Sequence, residues 1–130
     1  METKPEKIKR FSIIARIKSI AHGWRGVGVF FLSTHNAWIQ VVIAIIAISL
    51  GIILKISSTE WMFMILAIGF VFVTEALNTA IEIDIDLTSP EYHPYARDTK
   101  DVAAGAVLLA SIIAGIIGLI IFIPKITLLF

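Results

Sequence analysis

Three long apolar runs, at about residues 37–54, 61–81 and 102–123, leave the chain few ways to fold. A helix that crosses a bilayer needs about 17–25 mostly apolar residues. Only helices and closed barrels satisfy their own backbone polar groups in that setting. The runs are continuous rather than alternating and lack the turn punctuation of a barrel, so they predict helices. Short polar stretches separate them, at 55–60 and at 87–97, the latter holding Ser89, Pro90, Tyr92, Pro94 and Tyr95. With 130 residues, 58% hydrophobic and 16% charged, the expectation is a single all-α membrane domain over 1–130.

Residues 1–10 are polar and read as a loose tail, and 11–32 as an amphipathic helix. Ile13, Ile17, Ile20, Ala21, Trp24, Val27 and Phe31 take one face, with Ser19, His22 and Arg25 on the other. Such a helix lies in the membrane interface. The apolar stretch after Arg10 is broken by Arg16 and Lys18, too soon for a signal-peptide core, so the N-terminus is expected to be retained. The expected membrane helices are 37–54, 61–86 and 99–123, with Trp38 and Trp61 at interfaces. Thr34 or Asn36 would cap the first, Asp98 or Thr99 the third with Asp101 in a capping-box position, and Pro124-Lys125 would end it.

Basic residues set the expected orientation. Lys4, Lys7, Lys9, Arg10, Arg16, Lys18 and Arg25 precede the first span, and Arg97 and Lys100 follow the second, against Lys55 and Lys125 at the other end. The positive-inside rule then places the N-terminus and the 87–97 loop in the cytoplasm and the C-terminus outside, in a multi-pass membrane protein. A net charge of +1 gives no case for a nucleic-acid partner. The chain has no cysteine, and His22, His35 and His93 are too scattered for a zinc site.

The second run is apolar only to Thr74 and then gains Glu75, Asn78, Glu82, Asp84 and Asp86 without a helix breaker. At about 100° per residue, Glu75, Asn78, Glu82 and Asp86 share a narrow stripe at i, i+3, i+7 and i+11, while Asp84 points away. Carboxylates at membrane depth are costly and mark function. Two of them with an amide between suit Mg²⁺, which takes one or two carboxylates together with phosphates and waters. Lys100 and Asp101, at the expected start of the third span, suit phosphate contact and capping respectively. The alanines and glycines at 103–106, 110, 114 and 118 suit close helix packing. No Walker A loop and no kinase glycine-rich loop occurs.

The run Glu75-Ala-Leu-Asn78-Thr-Ala-Ile-Glu82, then Asp86, Glu91-Tyr92-His93 and Lys100-Asp101-Val-Ala-Ala-Gly-Ala-Val107, resembles the bacterial integral-membrane diacylglycerol kinase and undecaprenol kinase family. The likeness covers about residues 13–120 in motif, spacing and order of helices. It implies a homotrimer that uses ATP and Mg²⁺ to phosphorylate a membrane lipid alcohol, diacylglycerol or undecaprenol, at sites shared between subunits. It also implies Glu75 as general base, Glu82 as metal ligand and Asn78 as its companion at the phosphates. Lys100 would be a γ-phosphate ligand with Asp101 as its partner, Glu91 and His93 would contact nucleotide, and Arg16 and Trp24 would be looser matches on the surface helix.

One stretch departs from the family pattern. Many members carry E-x-N-x-R-x-H before the first span, whose Glu binds metal, where this chain reads Thr34-His35-Asn36-Ala37-Trp38-Ile39-Gln40 and keeps only the Asn. Metal binding then rests on Glu82 with the phosphates, on a further residue such as Asp86, or is weaker. Two rival readings are a small oligomeric ion-conducting or metal-transporting protein with an acid-lined path, which leaves Lys100-Asp101 without a use, and a catalytically weak member that keeps the fold.

Overall fold

Residues 11–128 are described by a computed structural model, so the expected tail over 1–10 lies outside the described residues. Four helices follow one another: α1 (Ile13–Ser33), α2 (His35–Ile53), α3 (Ser58–Thr88) and α4 (Pro94–Thr127). No strand occurs among the described residues. The last three helices are each long and apolar enough to cross a membrane.

A single residue divides α1 from α2. Thr34 is extended (φ −133°, ψ 131°) and its Oγ1 accepts from the Asn36 backbone N–H at 3.2 Å, which makes it the cap of α2. Trp38 Nε1 reaches back across the break and donates to the Phe31 carbonyl at 2.9 Å. Phe30 and Phe31 then lie against Phe72 of α3 at centroid distances of 6.5 and 6.2 Å. Phe30 is the buried residue of α1, so the helix is fastened at its C-terminal end. Residues 11–29 are exposed, with apolar Ile13, Ile17, Ile20 and Trp24 uncovered, as an interface helix requires.

Helix α3 starts three residues before the expected position. Ser57 and Glu60 form a reciprocal capping box, Glu60 N–H to Ser57 Oγ at 3.3 Å and Ser57 N–H to Glu60 Oε2 at 2.6 Å. This satisfies two backbone donors that a helix end leaves orphaned. Only residues 54–57 turn, with Lys55 at φ +50° and Ile56 N–H closing on the Gly51 carbonyl at 3.1 Å. Lys125 Nζ lies 3.1 Å from Glu60 Oε2 and ties the start of α3 to the end of α4.

Helix α4 begins at Pro94, five residues before the expected position, and Asp98 and Thr99 are helical residues rather than caps. His93 caps it through Nδ1, which accepts from the Tyr95 N–H at 3.2 Å. Proline at the first helical position lacks only a donor that would be orphaned anyway, and its φ is already helical. Nor does Pro124 end the helix, which runs on to Thr127. One turn from the terminus a proline disturbs few bonds, and Thr127 Oγ1 donates to the Ile123 and Pro124 carbonyls at 3.1 and 3.0 Å.

Small residues make the helix seams. On α2, Ala37, Ala44 and Gly51 are buried at intervals of seven, and Ala103 and Ala110 repeat that interval on α4. A Cβ at Gly51 would sit 3.0 Å from Ile56 Cδ1, 3.1 Å from Trp61 Cη2 and 3.2 Å from Met64 Cε. The larger apolar side chains, such as Ile45, Phe63 and Leu109, point outward and are more than half exposed. That inversion suits a lipid-facing surface.

Candidate active site

Helix α3 carries the acid stripe as one uninterrupted piece of 31 residues. Glu75 is only 2% exposed and is the bulkiest fully enclosed side chain of the described residues. Asn78 and Thr79 beside it are 7% and 5% exposed. These are the three buried polar side chains of the described residues, and all lie within two turns of one helix. Glu75 and Asn78 face inward because periodicity puts them with Met64, Ala67 and Val71 on the side that packs against the bundle.

Asn78 holds the stripe together. Its Nδ2 donates to Glu82 Oε1 at 3.2 Å, whereas its Oδ1 is buried without a partner. A buried unpaired carbonyl oxygen costs roughly 1–3 kcal/mol, and Gln40 Oε1 is left in the same condition on α2. Thr79 Oγ1 donates to the Glu75 backbone carbonyl at 2.9 Å. Thr79 was not among the expected site residues, and an isolated Thr carries no signal of burial.

From α4, Lys100 Nζ reaches Asp86 Oδ1 at 2.7 Å. Its partner is therefore Asp86, not the expected Asp101, which faces Arg97 one turn back at 3.5 Å on the exposed side of the helix. Adjacent residues of a helix diverge by about 100°, so Lys100 and Asp101 address different surroundings. Glu91 is exposed in the loop, and the His93 ring caps α4 with its centroid 5.7 Å from that of Tyr95. Arg16 is exposed on α1, its guanidinium 5.7 Å from the Phe11 ring. The structure thus brings Asn78 together with Glu82, and Lys100 with Asp86, and leaves Glu91, His93, Arg16 and Asp101 outside those contacts.

Between α3 and α4, a crevice of about 530 Å³ is lined by Leu77, Ile81, Val102 and Ala103, with Asn78 in its wall and Asp98 and Thr99 from α4. Its walls are almost wholly apolar, which fits a hydrocarbon chain better than a soluble metabolite. No three His, Cys, Asp or Glu side chains converge as a metal cage among the described residues. Glu82 and the free Asn78 Oδ1 supply two hard oxygens, a set that suits Mg²⁺ only with phosphate and water completing it. Thr34, where the resembled family carries an acid, spends its hydroxyl on capping α2.

Comparison with known proteins identifies the family. Residues 21–122 match the profile of prokaryotic diacylglycerol kinase. The chain is 41% identical over 108 residues to the undecaprenol kinase of Bacillus subtilis, covering 83% of this chain and 88% of that one. It is 36% identical over 107 residues to a Synechocystis diacylglycerol kinase, covering 82% of this chain and 61% of that one. With the Escherichia coli K12 diacylglycerol kinase it shares 28% over 98 residues, 75% of this chain and 80% of the relative. The acid stripe, Lys100, the first two spans and all but the last turn of the third fall inside the matched region, and the chain is a membrane lipid kinase that belongs to the prokaryotic diacylglycerol kinase family.

Proposed function

We propose that this enzyme transfers the γ-phosphoryl group of ATP to the hydroxyl of a membrane lipid alcohol, with undecaprenol the first acceptor to test and diacylglycerol the second. One observation carries the reading: a carboxylate 2% exposed, Glu75, stands one helical turn below an amide with a free oxygen and two turns below Glu82. The greater likeness to the relative named undecaprenol kinase, 41% against 28% for the Escherichia coli diacylglycerol kinase, sets the order of acceptors.

In this reading Glu75 takes the proton of the lipid hydroxyl as that oxygen bonds to the γ-phosphorus, and the bond to the β–γ bridging oxygen breaks to release ADP. Phosphoryl transfer asks chiefly for positioning and for positive charge near the equatorial oxygens. Lys100 supplies that charge from α4 once phosphate displaces Asp86. Asn78 and Glu82 would hold Mg²⁺, which when bound neutralises phosphate charge. Glu91 and His93, in and at the end of the loop, would meet the nucleotide, with Asp101 and Arg16 as outlying contacts.

The basic residues before α2 and at the start of α4 support a cytoplasmic location for this end of the bundle, in the inner membrane, with the C-terminus outside. The unpaired, buried Asn78 oxygen supports a homotrimer in which a neighbouring subunit completes each site. The test uses purified protein in mixed micelles with labelled ATP and Mg²⁺, undecaprenol or diacylglycerol, and a Glu75→Gln variant in parallel. Labelled lipid phosphate from the wild type alone is expected. Absence of product with both lipids refutes the activity, and equal turnover by the variant refutes Glu75 as base.

A further inference from the structure

Helices α1 and α2 meet at one residue. Thr34 is extended between them, and its φ and ψ are the soft torsions about which α1 can swing. Only the last turn of α1 is held, since Phe30 is buried while residues 11–29 are exposed. Whatever fixes the angle of this helix therefore acts close to the joint.

Trp38 acts there. Its Nε1 crosses the joint and donates to the Phe31 carbonyl at 2.9 Å, one of the acceptors that the end of α1 leaves without an intrahelical donor. Its ring lies 5.7 Å from that of Phe31, and Phe30 and Phe31, 5.0 Å apart, reach Phe72 of α3 at 6.5 and 6.2 Å. Four rings thus link α2 to α1 and α1 to α3, at spacings where aromatic pairs attract. Phe72 stands three residues before Glu75, so the link ends one turn below the buried carboxylate. Trp38 also occupies the position where the resembled pattern carries Arg, which makes the link a feature of this chain's own sequence.

We propose that Trp38 is a positioning residue for lipid access: its indole straps α2 to the last turn of α1 and so keeps the interfacial helix at one angle. The inference rests on the lipid-kinase reading and adds a residue which that reading does not use. In this role Trp38 touches neither reactant. A lipid alcohol comes to the level of Glu75 from the bilayer, and α1, fastened one turn below that level, stands at its approach. Nucleotide comes from the other end of the stripe, near Lys100 and Asp86, so loosening the strap bears on one substrate and spares the other.

The test measures the angle and the kinetics separately. The chain has no cysteine, so Ile17→Cys on α1 and Ile52→Cys on α2, both at exposed positions, take spin labels without competition. Labelled chains diluted into unlabelled ones in micelles, without ATP, are compared by double electron–electron resonance. Trp38→Phe keeps a ring and lacks the N–H, and Trp38→Ala lacks both. The distance distribution is expected to widen about twofold in Trp38→Phe and further in Trp38→Ala, as for a hinge set free. In Trp38→Ala without labels, KM for the lipid alcohol is expected to rise by about threefold or more, with kcat and KM for ATP within about twofold of wild type. Unchanged distributions in both variants overturn the strap, and widening in Trp38→Ala alone assigns the hold to ring contact and overturns the hydrogen-bonded strap. An equal rise in both KM values overturns the role in lipid access, because general loosening of the bundle would produce it. The resonance measurement involves no turnover: missing lipid phosphorylation in the wild type removes the kinase reading, and unchanged distances remove the strap.

Discussion

Lys100 Nζ lies 2.7 Å from Asp86 Oδ1, a contact between α4 and α3 that spans fourteen residues and the whole intervening loop. Both side chains are well exposed, 36% for Lys100 and 69% for Asp86. Solvated ion pairs add little stability, so this one does little to hold the helices together, and in the proposed reaction it would aim the ammonium. Lys100→Met is therefore expected to lower kcat/KM by about 10²–10³-fold, the usual loss when a donor to developing charge is removed. Asp86→Asn is expected to stay within about tenfold of wild type, since the ammonium remains. Steady-state kinetics with varied ATP checks both, and equal loss in the two variants would assign Asp86 a role as large as that of Lys100.

Glu75→Gln separates function from stability. A general base contributes roughly 10²–10⁴-fold to rate, and the amide cannot take a proton. A carboxylate 2% exposed also costs desolvation that a neutral amide does not. Activity should collapse by about 10²-fold or more while the thermal midpoint holds or rises. Unfolding in micelles followed by circular dichroism provides the check, and a fall in both quantities would mean that Glu75 holds the bundle together.

At Gly51 two effects compete. Replacing glycine inside a helix gains about 1 kcal/mol in propensity for alanine. A Cβ there nevertheless meets Ile56, Trp61 and Met64 at 3.0–3.2 Å, and overpacking costs about 1–3 kcal/mol. Gly51→Ala is expected to be nearly neutral, and Gly51→Val, with two further methyl groups against the Trp61 ring, to lower the unfolding midpoint clearly. A stable Val variant would show that this corner of α2 and α3 repacks freely.

Lys55 offers the opposite change. It adopts φ +50° just past the end of α2, a conformation that costs a side-chain-bearing residue roughly 1–2 kcal/mol and glycine little. Lys55→Gly is expected to raise the midpoint with activity unchanged, because the turn lies at the end of the bundle away from Lys100 and Glu82. A lower midpoint would show that the lysine charge, not the backbone, matters there.

Thr34 tests the metal. Thr34→Ala removes the α2 cap, at a cost of about 1 kcal/mol. Thr34→Glu restores the acid of the resembled pattern and is expected to lower the Mg²⁺ concentration for half-maximal activity. An unchanged Mg²⁺ titration would place residue 34 away from the ion.

The spans were legible because apolar runs of membrane length admit little else, and the stripe through Glu75, Asn78 and Glu82 was legible because helical periodicity alone aligns it. The helix ends were less so, although their signals were present. Ser57 and Glu60 have the spacing of a capping box, and Pro94 has the preference of a first-turn residue, but each lies in a polar stretch whose composition speaks against a membrane helix. The pairing of Lys100 with Asp86 was not legible, since it depends on the phase between two helices joined by residues 89–93. The same holds for the orphaned Asn78 oxygen: periodicity gives its direction but not what stands in front of it.

The unbroken 31 residues of α3 have a consequence for how two reactants from different phases meet. At 1.5 Å per residue the helix is about 46 Å long, longer than a hydrocarbon core of about 30 Å, and its charged residues from Glu82 onward favour its C-terminal turns as the part outside the oil. From Glu75 to Asp86 the stripe climbs about 16 Å. It works as a graduated rod. In the proposed reaction a lipid hydroxyl would rise only to the lowest mark and a nucleotide would descend only from the highest, each keeping its own solvent until the two are in line.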